Sequence, residues 1–152
     1  MILLDTNVLS ALMADVPDQL VIRWLDREPR ISIWTTSVNV FEIKFGLNVM
    51  PEGKRRRALE VAFQSLTQDL LENRIAPFDA LAAQHAAKIS AKQKSLGHNV
   101  EIRDTMIAGI ASATKARLAT RNLRDFQEAG VGLLSPWDTD PKLLPPDPCM
   151  SR

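Results

Sequence analysis

The chain has 152 residues, 45% of them hydrophobic and 24% charged, a size and balance that suit one globular domain with a substantial core. Its net charge of +1 supplies no whole-molecule field toward polyanions or membranes, so any such binding must come from a local patch. A single cysteine, Cys149, excludes an intramolecular disulfide, no signal peptide opens the chain and no apolar run reaches membrane-spanning length, so a cytoplasmic protein is expected.

Met1 to Leu4 is apolar and too short for a lone helix, which suits a buried parallel strand. Asp5-Thr6-Asn7 turns it into a helix carrying Leu9, Leu12 and Met13 at helical spacing. Pro17-Asp18 starts a second helix with Leu20, Trp24 and Leu25 on one side. Ile31 to Thr35 alternates and is β-rich, hence a second strand. Thr36 or Ser37 caps a helix that runs to about Met50, with Pro51 just beyond. A further helix spans 54–72, with Lys54-Arg55-Arg56-Arg57 at its start and Ala58, Val61, Ala62, Leu66 and Leu70 as its apolar stripe. Ile75 to Phe78 is a strand candidate. Asp79 caps a helix that ends near Gly97, and 104–115 is the next helix. Leu118 to Thr120 reads as a strand, followed by a turn at Asn122, a short helix at Asp125-Phe126 and a last strand over Val131 to Leu134.

Five of the nine prolines lie between Pro136 and Pro148. The expected organisation is therefore a folded domain over 1–138 and a Pro-rich, flexible tail over 139–152. Short apolar strands alternating with helices argue for an α/β/α sandwich around a mostly parallel sheet. Such sheets bind ligands beyond the carboxyl ends of their strands, where Asp5 and the Thr120–Asp125 turn fall.

Three acidic residues stand at the edge of apolar segments: Asp5, Glu42 and Asp104. Each has an ordinary structural reading. Asp5 suits a helix N-cap, although Thr6 and Asn7 can also cap. Glu42 can leave its apolar helix through a polar stripe with Asn39 and Gly46. Asp104 can complement a helix dipole, with Arg103 neutralising it. Together they suggest one acidic pocket. Carboxylates brought close resist ionisation, and a hard divalent cation reverses that penalty. Mg²⁺ or Mn²⁺ would accept their oxygens, keep several waters and leave room for a phosphate, the arrangement for metal-activated hydrolysis of a phosphodiester. Two histidines and no cysteine in the folded region make a zinc site improbable, and no phosphate-binding glycine loop or nucleophile elbow occurs. Arg121 and Arg124 flank the strand-end site and suit contact with a substrate phosphate. Lys54 to Arg57 reads as a solvated face, with phosphate tracking or partner docking as the alternative.

Four blocks resemble one family. Leu3-Leu4-Asp5-Thr6-Asn7, Glu42 with Gly46, Asp104 early in a later helix, and Ala119-Thr120-Arg121-Asn122 with Asp125-Phe126 look like PIN domains, in the order and spacing of VapC-like bacterial toxins. Leu134-Ser135-Pro136-Trp137 looks most like the FitB-like branch. The resemblance implies an Mg²⁺- or Mn²⁺-dependent ribonuclease, the toxin of a type II toxin–antitoxin pair. By motif, Asp5, Glu42 and Asp104 would be metal ligands and catalytic. Asn122 stands where the family often has a fourth acid, with Asp125 nearby, which puts a firmly held second metal in doubt. Thr6, Asn7, Ser37 and Thr120 would orient the carboxylates. The resemblance further implies a homodimer, a small cognate antitoxin, and contact with DNA only through that antitoxin. Phe41, Phe45 and Phe63 are candidates for the partner surface, with core packing the expectation for at least two of them. The competing functions are another phosphoryl-cleaving enzyme, which the absence of a second Asp at Asn7 argues against for an aspartyl-phosphate phosphatase, and a PIN-like binding module without catalysis.

Overall fold

The first apolar run forms β1 (Ile2–Leu4), a strand buried along its whole length. Its alternation splits the interior. Ile2 and Leu4 join one hydrophobic cluster and Leu3 joins another, so helices must cover both faces. The computed structural model describes residues 1–138; the tail expected at 139–152, with Cys149, lies outside the described residues.

After β1 the chain forms α1 (Thr6–Met13) and α2 (Gln19–Leu25), the second capped by the Asp18 side chain. The strand expected at 31–35 begins later. Arg30–Ser32 make a 3-10 turn, and β2 covers Ile33–Thr36. The Arg74 guanidinium accounts for the shift, donating at 2.9 Å to both Arg30 O and Ile33 O and so holding the turn against the strand start. Thr36 caps α3 (Ser37–Val49). Then come α4 (Lys54–Ser65), which ends in a π-helical turn at Leu66–Leu70, and a short β3 (Ile75–Ala76). Asp79 caps α5 (Ala80–Ser95), and Gly97 follows at φ +76°. The helix expected from 104 starts earlier, as α6 (Ile102–Thr114), because Glu101 caps it and accepts from the Arg103 and Asp104 amides. Finally β4 (Arg117–Ala119), α7 (Leu123–Phe126) and β5 (Gly132–Leu134) complete the described chain.

All strand pairs are parallel, in the order β3-β2-β1-β4-β5. Val8, Leu9, Ile43, Leu47 and Phe63 from α1, α3 and α4 cover one face. Ala82, Ile89, Ile107 and Ile110 from α5 and α6 cover the other, with Phe126. This is the three-layer sandwich expected from the sequence. The chain winds outward from β1 through β2 to β3, then crosses to β4. The order therefore reverses between β1 and β4, and the crevice beyond their carboxyl ends is where such a sheet binds ligands. Asp5 and Thr120 stand there. Among the described residues no helix is long and apolar enough to cross a membrane.

Candidate active site

Asp5 leaves β1 and is the N-cap of α1, accepting from Thr6 N at 2.8 Å. The cap thus falls to Asp5, and Thr6 and Asn7 serve elsewhere. The carboxylate is 5% exposed and receives three further donors: Asn39 Nδ2 at 3.0 Å, Thr120 Oγ1 at 2.6 Å and Asn7 Nδ2 at 3.3 Å. These come from α3, the end of β4 and α1, so one acid ties three elements together at the sheet's carboxyl edge.

Asn39 is the residue the sequence reading placed beside Glu42 without giving it a role in the site. It is fully buried. Thr36 Oγ1 donates to its carboxamide oxygen at 2.5 Å, which aims its nitrogen at Asp5 and at Thr6 Oγ1, 3.0 Å away. Its place one turn before Glu42 on α3, behind a threonine cap, was the available signal. Thr6 Oγ1 in turn donates to Glu42 Oε1 at 3.2 Å. A chain of polar groups therefore runs from Thr36 through Asn39 and Thr6 to Glu42. Asn7 also accepts from Arg121 N at 3.1 Å, and Thr120 Oγ1 accepts from Asn122 N at 3.0 Å, so the β4–α7 turn is fixed to the same cluster. Ser37 stands apart: its hydroxyl accepts from Phe78 N at 3.0 Å, after β3, and makes no hydrogen bond to the carboxylates.

Glu42 and Asp104 face this cluster from α3 and α6. Burial is the main cause that raises both of their pKa values, with the Asp5 charge adding to it. Asp104 reaches about 7, helped by Glu101, Asp125 and Glu42. Arg103 lies 3.9 Å from Glu42 and 2.9 Å from Glu101, so it balances those two rather than pairing with Asp104. The three acids are mutually felt, yet among the described residues no three acidic, histidine or cysteine side chains converge tightly enough to close on one ion. Asn122 and Asp125 are exposed beside them on the β4–α7 turn and α7.

Arg121 is exposed and stacks over the Trp137 ring at 4.7 Å. The Trp137 indole donates to Asp18 Oδ2 at 2.9 Å, and that bond lowers the Asp18 pKa. The chain after β5 therefore braces Arg121 against the start of α2. Arg124, also exposed, borders a neighbouring cavity that shares Asp104. Arg56 of the basic run pairs with Glu60 at 2.8 Å, an ordinary helix-surface pair.

The three phenylalanines differ from expectation. Only Phe63 is core, at 3% exposed; Phe41 and Phe45 are 55% and 53% exposed and stack on each other with centroids 6.0 Å apart. Val49 continues that apolar strip at 65% exposed, so α3 is buried on one side rather than all round.

The PIN domain model matches residues 2–131. Among curated proteins, the chain is similar to VapC ribonuclease Y4jK of Sinorhizobium fredii, 35% identical over 91% of this chain and 99% of the relative. It is also similar to toxin FitB of Neisseria gonorrhoeae, 31% identical over 90% of this chain and 99% of that protein. A solved structure of FitAcB from Neisseria gonorrhoeae superposes with a TM-score of 0.79 at 31% identity, covering 91% of this chain and 100% of that one.

Proposed function

The chain belongs to the PIN-domain family, and from that membership and the geometry of its acidic crevice we propose an Mg²⁺- or Mn²⁺-dependent endoribonuclease, the toxin of a bacterial toxin–antitoxin pair. The observation that carries the reading is Asp5, a buried carboxylate held by four donors from three elements and faced by two acids that resist ionisation.

The donor set fits a hard cation. Every candidate ligand offers oxygen: Asp5, Glu42 and Asp104, with the Asn122 carboxamide and Asp125 at the rim. The acids repel one another without touching, which suits an ion that keeps part of its water shell between them. When bound, such an ion supplies positive charge beside the phosphodiester and lowers the pKa of the attacking water. The chain does the positioning. Thr120, Asn39 and Asn7 hold the Asp5 oxygens in place, and Thr6 orients Glu42. Arg103 offsets the Glu42 charge, so the crevice tolerates three acids before a cation arrives. Arg121, stiffened by Trp137, and Arg124 stand on the β4–α7 side as contacts for the RNA phosphates.

The exposed Phe41, Phe45 and Val49 strip on α3 is the face offered to a second copy or to an antitoxin segment. Contact with DNA would pass through that antitoxin.

The test is cleavage of a structured RNA pool by purified protein with Mn²⁺, Mg²⁺ or EDTA, beside Asp5→Asn and Glu42→Gln. Metal-dependent cleavage that drops at least ~1,000-fold in both variants is expected, as for loss of a group required in the transition state. Folded protein that cuts no RNA with either metal would favour the binding-module reading instead.

A further inference from the structure

Arg121 follows Thr120 at the end of β4, and its backbone N–H donates to Asn7 Oδ1 at 3.1 Å. Its main chain is therefore tied to the cluster that holds Asp5. Its side chain is held by something else. The guanidinium lies over the Trp137 ring, 4.7 Å from the centroid. The Asp18 pKa is lowered first by the Trp137 hydrogen bond and further by the Arg121 charge, whereas Arg121 is not among the groups that shift Glu42 and Asp104. The guanidinium thus does not neutralise the acids, as Arg103 does for Glu42.

Trp137 is anchored in turn. Its indole N–H donates to Asp18 Oδ2 at 2.9 Å, while Asp18 Oδ1 caps α2 by accepting from Leu20 N at 2.9 Å. The ring also packs against the core cluster that contains Val8 and Val21. A carboxylate, an indole and a guanidinium therefore form a chain from the start of α2 to the end of β4. Each link favours the next: an anion on the indole N–H leaves the ring face more electron-rich, and that face attracts a cation. Stacking also takes up rotamer freedom that an exposed arginine otherwise loses when it binds. It leaves the N–H groups, which lie in the guanidinium plane, for a ligand. The ligand that matches such a planar fork beside a phosphodiester site is a phosphate.

We infer that Trp137 is a positioning residue for substrate binding: together with Asp18 it holds Arg121 ready for an RNA phosphate that flanks the cut. The inference rests on the nuclease reading for its substrate. A flanking phosphate is meant rather than the scissile one, because the guanidinium is held by the α2 side of the rim and not among the acids. Such a contact is made equally before and during the reaction, so it acts on KM and leaves kcat.

The experiment uses the full chain and a fluorescein-labelled single-stranded RNA of randomised sequence. Binding is read by anisotropy in EDTA, from about 50 to 200 mM salt. Arg121→Gln should weaken binding and flatten the salt slope by about 0.7, the share of one phosphate on a single strand. Trp137→Leu should weaken it about two- to fivefold, and Trp137→Phe, which keeps a ring face, should recover part of that loss. The deciding measurement is the double variant. With Arg121→Gln present, Trp137→Leu should cost nothing more. A loss that persists there would make Trp137 a packing residue only and overturn the inference. Asp18→Asn guards against misfolding of Trp137→Leu: it leaves one acceptor oxygen for two donors, so keeping the cap means losing the indole bond. It should weaken binding only while Arg121 is present, and unchanged binding overturns the role given to Asp18. With Mn²⁺, Trp137→Leu should cut with a raised KM and an unchanged kcat. A fall in kcat alone would overturn the flanking contact. The two readings fail separately: coupled binding without cleavage sustains the positioning role and sinks the nuclease, whereas cleavage with additive losses does the reverse.

Discussion

Thr120 shows how much of this acidic crevice is held by groups other than its carboxylates. It is fully buried, its hydroxyl donates to Asp5 at 2.6 Å, and the same oxygen accepts from Asn122 N. Thr120→Val keeps the shape and removes both bonds. The expected cost is about 1–3 kcal/mol of stability, because a buried carboxylate loses a donor and an amide its acceptor. Cleavage should fall about 10–100-fold, as for groups that orient a ligand. A denaturant melt beside the cleavage assay checks both. Asp104 gives the pH dependence. Its ordinary value is 3.8 and it titrates here at about 7, so between those values the metal-free fold holds a proton that the unfolded chain releases. Stability from this group is complete below about pH 4 and is lost as pH rises to about 7. The Tm of metal-free protein should be lower at pH 8 than at pH 5, and Asp104→Asn should flatten that fall. An unchanged slope would mean Asp104 ionises freely. The three acids were legible because a carboxylate beside an apolar run is conspicuous. Asn39 was not, since a buried amide on a helix takes its meaning from which strand end it meets.

Among the elements, the α5–α6 pair is the tightest constraint. A Cβ at Gly109 would stand 2.6 Å from both Ala82 O and the Ala86 Cβ, so the helices meet at a point where backbone must touch. Gly109→Ala should therefore destabilise despite its better helix propensity, by about 1–3 kcal/mol. Each kcal/mol is worth about 2–4 °C at this chain length, which a calorimetric scan resolves. A stable Gly109→Ala would mean the two helices separate freely. Element order was legible from turn chemistry: Asp18 and Asp79 cap helices whose starts the sequence placed there, and Thr36, rather than the alternative Ser37, caps α3. What escaped were features set by distant partners. The Arg74 guanidinium delayed β2, and Glu101 advanced the start of α6 beyond the expected residue 104. On α4 the stripe is rotated, with Phe63 buried and Val61 62% exposed. For α3 the pattern itself misleads. A helix apolar on most sides reads as core, yet Phe41, Phe45 and Val49 face outward, and composition alone does not tell an exposed apolar strip from an interior.

At the scale of the whole molecule, the parallel sheet creates a crevice at the β1–β4 reversal, and the acids gather beside it with Arg103, Arg121 and Arg124. Acids line its floor, Arg103 sits beside Glu42, and Arg121 with Arg124 stands along the β4–α7 side. The net charge of +1 conceals this division, which is why the composition excluded a field but not a site. The crevice is proposed to take a divalent cation. Isothermal titration of Mn²⁺ into metal-free protein at pH 7, run in two buffers of different ionisation enthalpy, tests it most directly. A saturable heat with proton release is expected, because Asp104, titrating at about 7, is partly protonated there and gives up that proton on binding, with loss of that heat in Asp5→Asn. No saturable heat in the wild type, or the same affinity in Asp5→Asn, would contradict it.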